Sequence, residues 1–126
     1  MKFTIDSKQG YARAGSLTVN NKTINTPAFM TIGTYGSVKT MDTYDLKKCN
    51  VEIILSNAFH LMLRPGTDLI EKFGGLHQLM NWDGLILTDS GGYQVFSLGK
   101  DVKITNTGAE FRSPFNGDKV FMSPEI

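Results

Sequence analysis

The chain of 126 residues has a single cysteine, Cys49, so no disulfide can form within it. It contains no CxxC and no HExxH, and Cys49, His60 and His77 do not stand at a zinc spacing. Cys49 sits in "LKKCNVEII", where a packed thiol is the ordinary reading. No metal site is expected among these residues. No apolar run approaches the roughly 18 residues of a membrane span. The opening "MKFTIDSKQG" lacks the apolar segment of a signal peptide. A cytoplasmic protein without a membrane partner is the expectation. Charge of one sign is scarce too: the net charge is +1. That excludes a strongly cationic nucleic-acid arm but leaves room for a local basic patch. Phosphate loops are also missing. "GGYQVFSLGK" is not a Walker loop, because Asp101 stands where Ser or Thr is needed, and no G-x-G-x-x-G occurs.

What is present is the composition of one globular domain, 40% apolar and 20% charged. Residues 1–27 alternate: Phe3 and Ile5, then Ala12, Ala14, Leu17 and Val19. "VNNKTI" places a turn between two short strands, so a small antiparallel sheet is predicted. "TPAFMTIGT" fits a buried strand ending at Gly33. "SVKTMDTYDLKKCN" fits a short helix with Asp42 as N-cap and Asp45 three residues on. "VEIILSN" is a second buried strand, rich in branched residues. After the break at Pro65-Gly66, "TDLIEKFGGLHQLMNW" has Leu69, Ile70, Phe73, Leu76, Leu79 and Met80 at helical spacing, interrupted by Gly74-Gly75. "GLILT" is the third strand. Strand, helix, strand, helix, strand predicts parallel strands with crossover helices over 28–98. Residues 99–126 alternate again and predict a hairpin extension. Ser123-Pro124-Glu125 has the signature of a helix start, so the chain reads as a single truncated domain.

The chemistry concentrates in "GLILTDSGGYQVFS". Asp89 ends the third strand, and in parallel α/β folds ligands bind at the carboxyl ends of strands. Gly91 and Gly92 carry no Cβ, so a ligand can approach the backbone there. Tyr93 offers a ring to a planar substrate. A flat heterocycle suits this set; a tight turn with a core tyrosine is the ordinary alternative. Asn57 and His60 follow the second strand and should open on the same face as Asp89. For His60 a core or supporting position is the ordinary reading. Arg64 could meet a phosphate or pair on the surface, and Gly33, Tyr35 and Gly36 could border the pocket or form a plain loop. No Ser-His-Asp arrangement is evident.

"TPAFMTIGTYGSVKTM", "ILSNAFHLMLRPG", "WDGLILTDSGGYQVFSLG" and "FRSPFNGD" together resemble the N-terminal part of the tRNA-guanine transglycosylase (queuine tRNA-ribosyltransferase) family. The resemblance implies the first part of a (β/α)8 TIM-type barrel, preceded by a small antiparallel sheet. It is an incomplete barrel, since closing one takes about 250 residues. The family exchanges guanine at the wobble position of certain tRNAs for a queuosine precursor, 7-aminomethyl-7-deazaguanine in bacteria. By resemblance Asp89 is the proton acceptor and base-recognition carboxylate. Ser90, Gly91, Gly92 and Tyr93 hold the heterocycle, with Tyr93 stacking on it. The family's nucleophilic aspartate and its zinc site lie downstream, so no cofactor is expected in these residues. Little activity is expected of the chain alone. The partners implied are tRNA, guanine or a 7-deazaguanine, and a complementing transglycosylase subunit. A non-catalytic accessory protein that binds a deazapurine or a subunit is the alternative. "TMDTYDL" and "SNAFHL" depart from the family's commoner segments, both outside Asp89–Tyr93.

Overall fold

The computed structural model describes residues 1–126. Strands β1 (Lys2–Gln9), β2 (Ala12–Val19) and β3 (Lys22–Thr26) form an antiparallel sheet in that order. The predicted turn joins β2 to β3. Asn20 and Asn21 both take positive φ, 47° and 66°. A two-residue hairpin turn of this hand requires that, and asparagine tolerates it better than most residues.

The central part alternates strand and helix. Strand β4 (Thr31–Ile32) precedes α1 (Thr43–Lys48) and β5 (Ile53–Asn57). Helices α2 (Ala58–Leu63), α3 (Thr67–Lys72) and α4 (Leu76–Met80) then lead to β6 (Leu85–Asp89). The three strands pair in parallel in the order β4-β5-β6, as the alternation predicts. Asp42 caps α1, its carboxylate accepting from the Asp45 N–H at 2.8 Å. Asp45 in the first turn and Lys47 and Lys48 in the last complement the helix dipole. Gly74 and Gly75, at φ 87° and 107°, separate α3 from α4.

Helix α5 (Gly92–Leu98) leads to a third sheet, β7 (Lys100–Thr105), β8 (Gly108–Arg112) and β9 (Lys119–Met122), antiparallel in that order. In the last residues Ser123 Oγ accepts from the Glu125 N–H at 3.3 Å. No helix is long and apolar enough to cross a membrane.

Alternation along β5 and β6 divides the core. On one face Ile54 packs with Leu46, Met80 and Trp82, and Ile86 lies against them. Trp82 is buried with its indole N–H donating to the Leu85 carbonyl at 3.1 Å. On the other face Ile53 and Leu85 meet Ile24 of the N-terminal sheet. A third cluster joins α2, α5 and the last sheet through Phe59, Val95, Phe111 and Met122, with the Phe59 and Phe111 rings stacked at 5.3 Å.

Two expectations are corrected here. The buried strand predicted over "TPAFMTIGT" is only two residues long, and Phe29 and Ile32 are exposed, Ile32 by 61%. The N-terminal sheet packs on Ile53 and Leu85 at one end of the inner face; further along, at Ile32 and Leu87, the face is open. The helical spacing over 67–80 likewise implied a buried stripe, yet α3 buries no residue fully and Leu69 and Phe73 are exposed.

Candidate functional site

Asn57 ends β5 and Asp89 ends β6, and the parallel register sets them side by side. Odd-numbered residues of the two strands share the inner face, so both polar side chains top the column formed by Leu55 and Leu87. The Asn57 amide donates to Asp89 Oδ1 at 2.6 Å. The Gly91 N–H donates to the same oxygen at 3.1 Å. Two donors on one oxygen hold the carboxylate in orientation and leave Oδ2 for a ligand.

Asn57 is 5% exposed and works in both directions. Its carbonyl oxygen accepts from the His60 N–H at 3.1 Å and so caps α2. One side chain thereby ends a strand, starts a helix and orients the carboxylate next door.

Gly91 caps α5 in the left-handed conformation, at φ 68°. A Cβ there would lie 2.5 Å from Phe59 Cβ and 2.8 Å from the Phe59 backbone nitrogen. The close approach that the paired glycines suggested is thus made, at Gly91, by this chain's own α2. Gly92 opens the helix, and a Cβ on it would meet only Ser90 Oγ, at 3.6 Å. Its N–H lies 3.4 Å from that oxygen, a weak contact. Tyr93 follows in α5 with 75% of its surface exposed, which corrects the ordinary alternative of a core tyrosine. Phe96, three residues on along α5, is 83% exposed.

His60 stands between two rings, edge-on to Phe59 at 5.3 Å and to Tyr35 at 4.9 Å. Its Nδ1 is sequestered and has no hydrogen-bond partner. The loop after β4 therefore does reach the elements that carry the site, through Tyr35. Gly33 also ties to β5: its N–H donates to the Leu55 carbonyl, and its own carbonyl accepts from the buried Ser56 hydroxyl at 2.9 Å. Arg64 makes no surface ion pair. Its guanidinium lies over the Phe115 ring, 4.4 Å from the centroid. The capping role of Asn57 was legible as an Asn at a strand–helix junction; the Arg64 contact joins residues 51 positions apart and leaves no local signal.

The chain matches the family model described as queuine tRNA-ribosyltransferase over residues 6–126. It belongs to that family. Among its relatives, the queuine tRNA-ribosyltransferase of Herminiimonas arsenicoxydans is 58% identical over 126 residues, covering all of this chain and 34% of that protein. Those of Neisseria meningitidis and Chromobacterium violaceum are 56% and 54% identical over the same span. The chain thus spans about a third of the length of these queuine tRNA-ribosyltransferases. The family's zinc finds no fit in these residues, which bring together no group of three or more His, Cys, Asp or Glu side chains.

Proposed function

We propose that this chain supplies the base-recognition part of a tRNA-guanine transglycosylase site. The reaction served is exchange of guanine at the tRNA wobble position for a queuosine precursor such as 7-aminomethyl-7-deazaguanine. The observation that carries the reading is the tethered carboxylate. Asp89 is held through Oδ1 by Asn57 and Gly91 at the carboxyl end of a parallel strand, with exposed Tyr93 in the first turn of the next helix.

An extruded purine offers two flat faces and a polar edge. Asp89 Oδ2 suits the ring N–H groups of that edge, as acceptor of a hydrogen bond or a proton. Tyr93 suits a flat face, and the open side of Gly92 leaves room for the ring. Attack on the ribose needs a carboxylate nucleophile of the kind the family resemblance implies, supplied from elsewhere than Asp89.

The fold supports the same reading. Three parallel strands with crossover helices, an inner face open at Ile32 and Leu87, and edge strands β4 and β6 suit the first units of a (β/α)8 barrel. Such a barrel would cover that face with its remaining strands. The test is guanine exchange into cognate tRNA by this chain, with and without a polypeptide carrying the rest of the barrel. Exchange on mixing, abolished by Asp89→Asn, is the expected result. No exchange with a folded complementing chain would overturn the enzymatic reading and leave an accessory base-binding protein.

A further inference from the structure

The outer face of the β7–β8–β9 sheet carries two cross-strand rows. Lys103, Glu110 and Phe121 stand opposite one another, as do Lys100, Arg112 and Lys119. Residues directly opposite in an antiparallel sheet share a face. The buried side of the same sheet, with Phe111 and Met122, packs on Phe59 and Val95. The two rows therefore point away from the core, and Lys100, Lys103, Glu110, Arg112, Lys119 and Phe121 are all exposed.

The second row is electrostatically unfavourable as it stands. Like charges directly opposite on a sheet repel, and here three cations span three strands. Arg112 has a counter-charge, Asp101, at 3.0 Å, and a further bond to the Gly117 carbonyl at 3.1 Å. Lys100 and Lys119, on either side of it, make no ion pair. A concavity of about 350 Å³ lies along this sheet, lined by Asp101, Glu110, Phe111, Arg112, Lys119, Val120 and Phe121. In a chain of net charge +1, four cations against two carboxylates on one small sheet is a local excess. A sheet face with lysines beside an exposed aromatic suits a strand of nucleic acid: the cations meet phosphates and the ring meets a base.

We infer that the outer face of β7–β8–β9 is an RNA-docking surface, on which Lys100, Lys103 and Lys119 contact backbone phosphates and Phe121 a base. This rests on the proposed transglycosylase reading for the identity of the RNA, a tRNA anticodon arm. The phosphates relieve the repulsion within the Lys100–Arg112–Lys119 row, so substituting Lys100 and Lys119 should weaken RNA binding without weakening the fold.

The test is fluorescence-anisotropy titration of the 126-residue chain with a labelled anticodon stem-loop RNA carrying guanine at the wobble position, over a range of salt. The variant is Lys100→Gln, Lys103→Gln and Lys119→Gln combined, with Phe121→Ser separately. The triple variant should bind at least ten-fold more weakly at low salt. Its slope of log affinity against log salt should fall by about 0.7–0.9 for each phosphate that is no longer neutralised. A variant carrying only Lys100→Gln and Lys119→Gln should melt, without RNA, at or above the temperature of the unsubstituted chain. Phe121→Ser should weaken binding with no change in the salt slope. Unchanged affinity and slope in the triple variant, or no binding by the unsubstituted chain at low salt, would overturn the inference. The exchange assay is read separately. Exchange that survives in the triple variant with unchanged RNA affinity removes the docking face and keeps the function. Lysine-dependent RNA binding without exchange keeps the face and removes the function.

Discussion

Replacing Asn57 with alanine removes two bonds at once, and their separate contributions can be recovered. The amide donates to Asp89 Oδ1 at 2.6 Å, and the carbonyl oxygen caps α2 through the His60 N–H at 3.1 Å. A hydrogen bond to a charged group contributes about 1.5–3 kcal/mol. Asp89 is only partly buried, so the lower end applies. An N-cap contributes about 1 kcal/mol. Asn57→Ala should therefore destabilise by about 2.5 kcal/mol, a fall in melting temperature of roughly 10 °C for a chain of this size. Asn57→Ser keeps a capping hydroxyl but cannot reach Asp89, and should recover about 1 kcal/mol of the loss. Equilibrium urea unfolding measures both. A double-mutant cycle with Asp89→Ala isolates the bond between them, with an expected coupling of about 1.5 kcal/mol. A coupling below about 0.5 kcal/mol, or an Asn57→Ala variant as stable as the parent, would refute the claim that Asn57 holds the carboxylate.

Other positions give sharper or simpler readouts. Gly91→Ala forces a side chain into left-handed backbone and against Phe59, and should cost about 2–4 kcal/mol in urea unfolding; a neutral substitution would contradict the packing of α5 on α2. Ser56→Ala removes one of two bonds on the Gly33 carbonyl, which keeps the Gly36 N–H at 3.0 Å, and should cost about 1 kcal/mol by the same measurement. The Lys47 hydrogen bond holds the Asp83 carboxyl below its ordinary value of 3.8. Its folded-state value is depressed, so the pair's contribution is present above pH 3.8 and lost as pH falls below it. The gap in melting temperature between the parent and Asp83→Asn should thus be small, shrink below pH 3.8 and shrink in high salt; a gap that widens on acidification would reverse the sign of the effect.

Local chemistry made much of this fold legible in the sequence. The Asn20-Asn21 turn, the Asp42 cap and the glycine break at 74–75 each rest on residue types with one dominant backbone preference, and each is found where it was expected. The parallel order of the central strands followed from alternation alone. Burial was less legible. Apolar spacing says that a face wants a partner, but not whether this chain provides one. Phe29, Ile32, Leu69 and Phe73 satisfy the pattern and remain exposed because no element here lies over them. At the site, the position of Asp89 at a strand end was readable, while its tether to Asn57 joins residues 32 apart through strand register.

The glycines show why a motif can be recognised correctly and explained only in part. Two adjacent residues without Cβ after a catalytic-type carboxylate suggest room for a ligand, and at Gly92 that room exists. At Gly91 the space is already filled by Phe59, whose ring stacks on Phe111 of the last sheet. The Gly91 N–H that orients Asp89 is therefore positioned by a chain of packed groups running from β8 through Phe59 to the start of α5. Asn57 supplies the second hold and starts α2, the helix that presents Phe59. Both donors on Asp89 Oδ1 thus depend on where α2 sits. The carboxylate is set by the packing of α2 between two strand ends and an antiparallel sheet, and the motif that carries it cannot be moved without that helix.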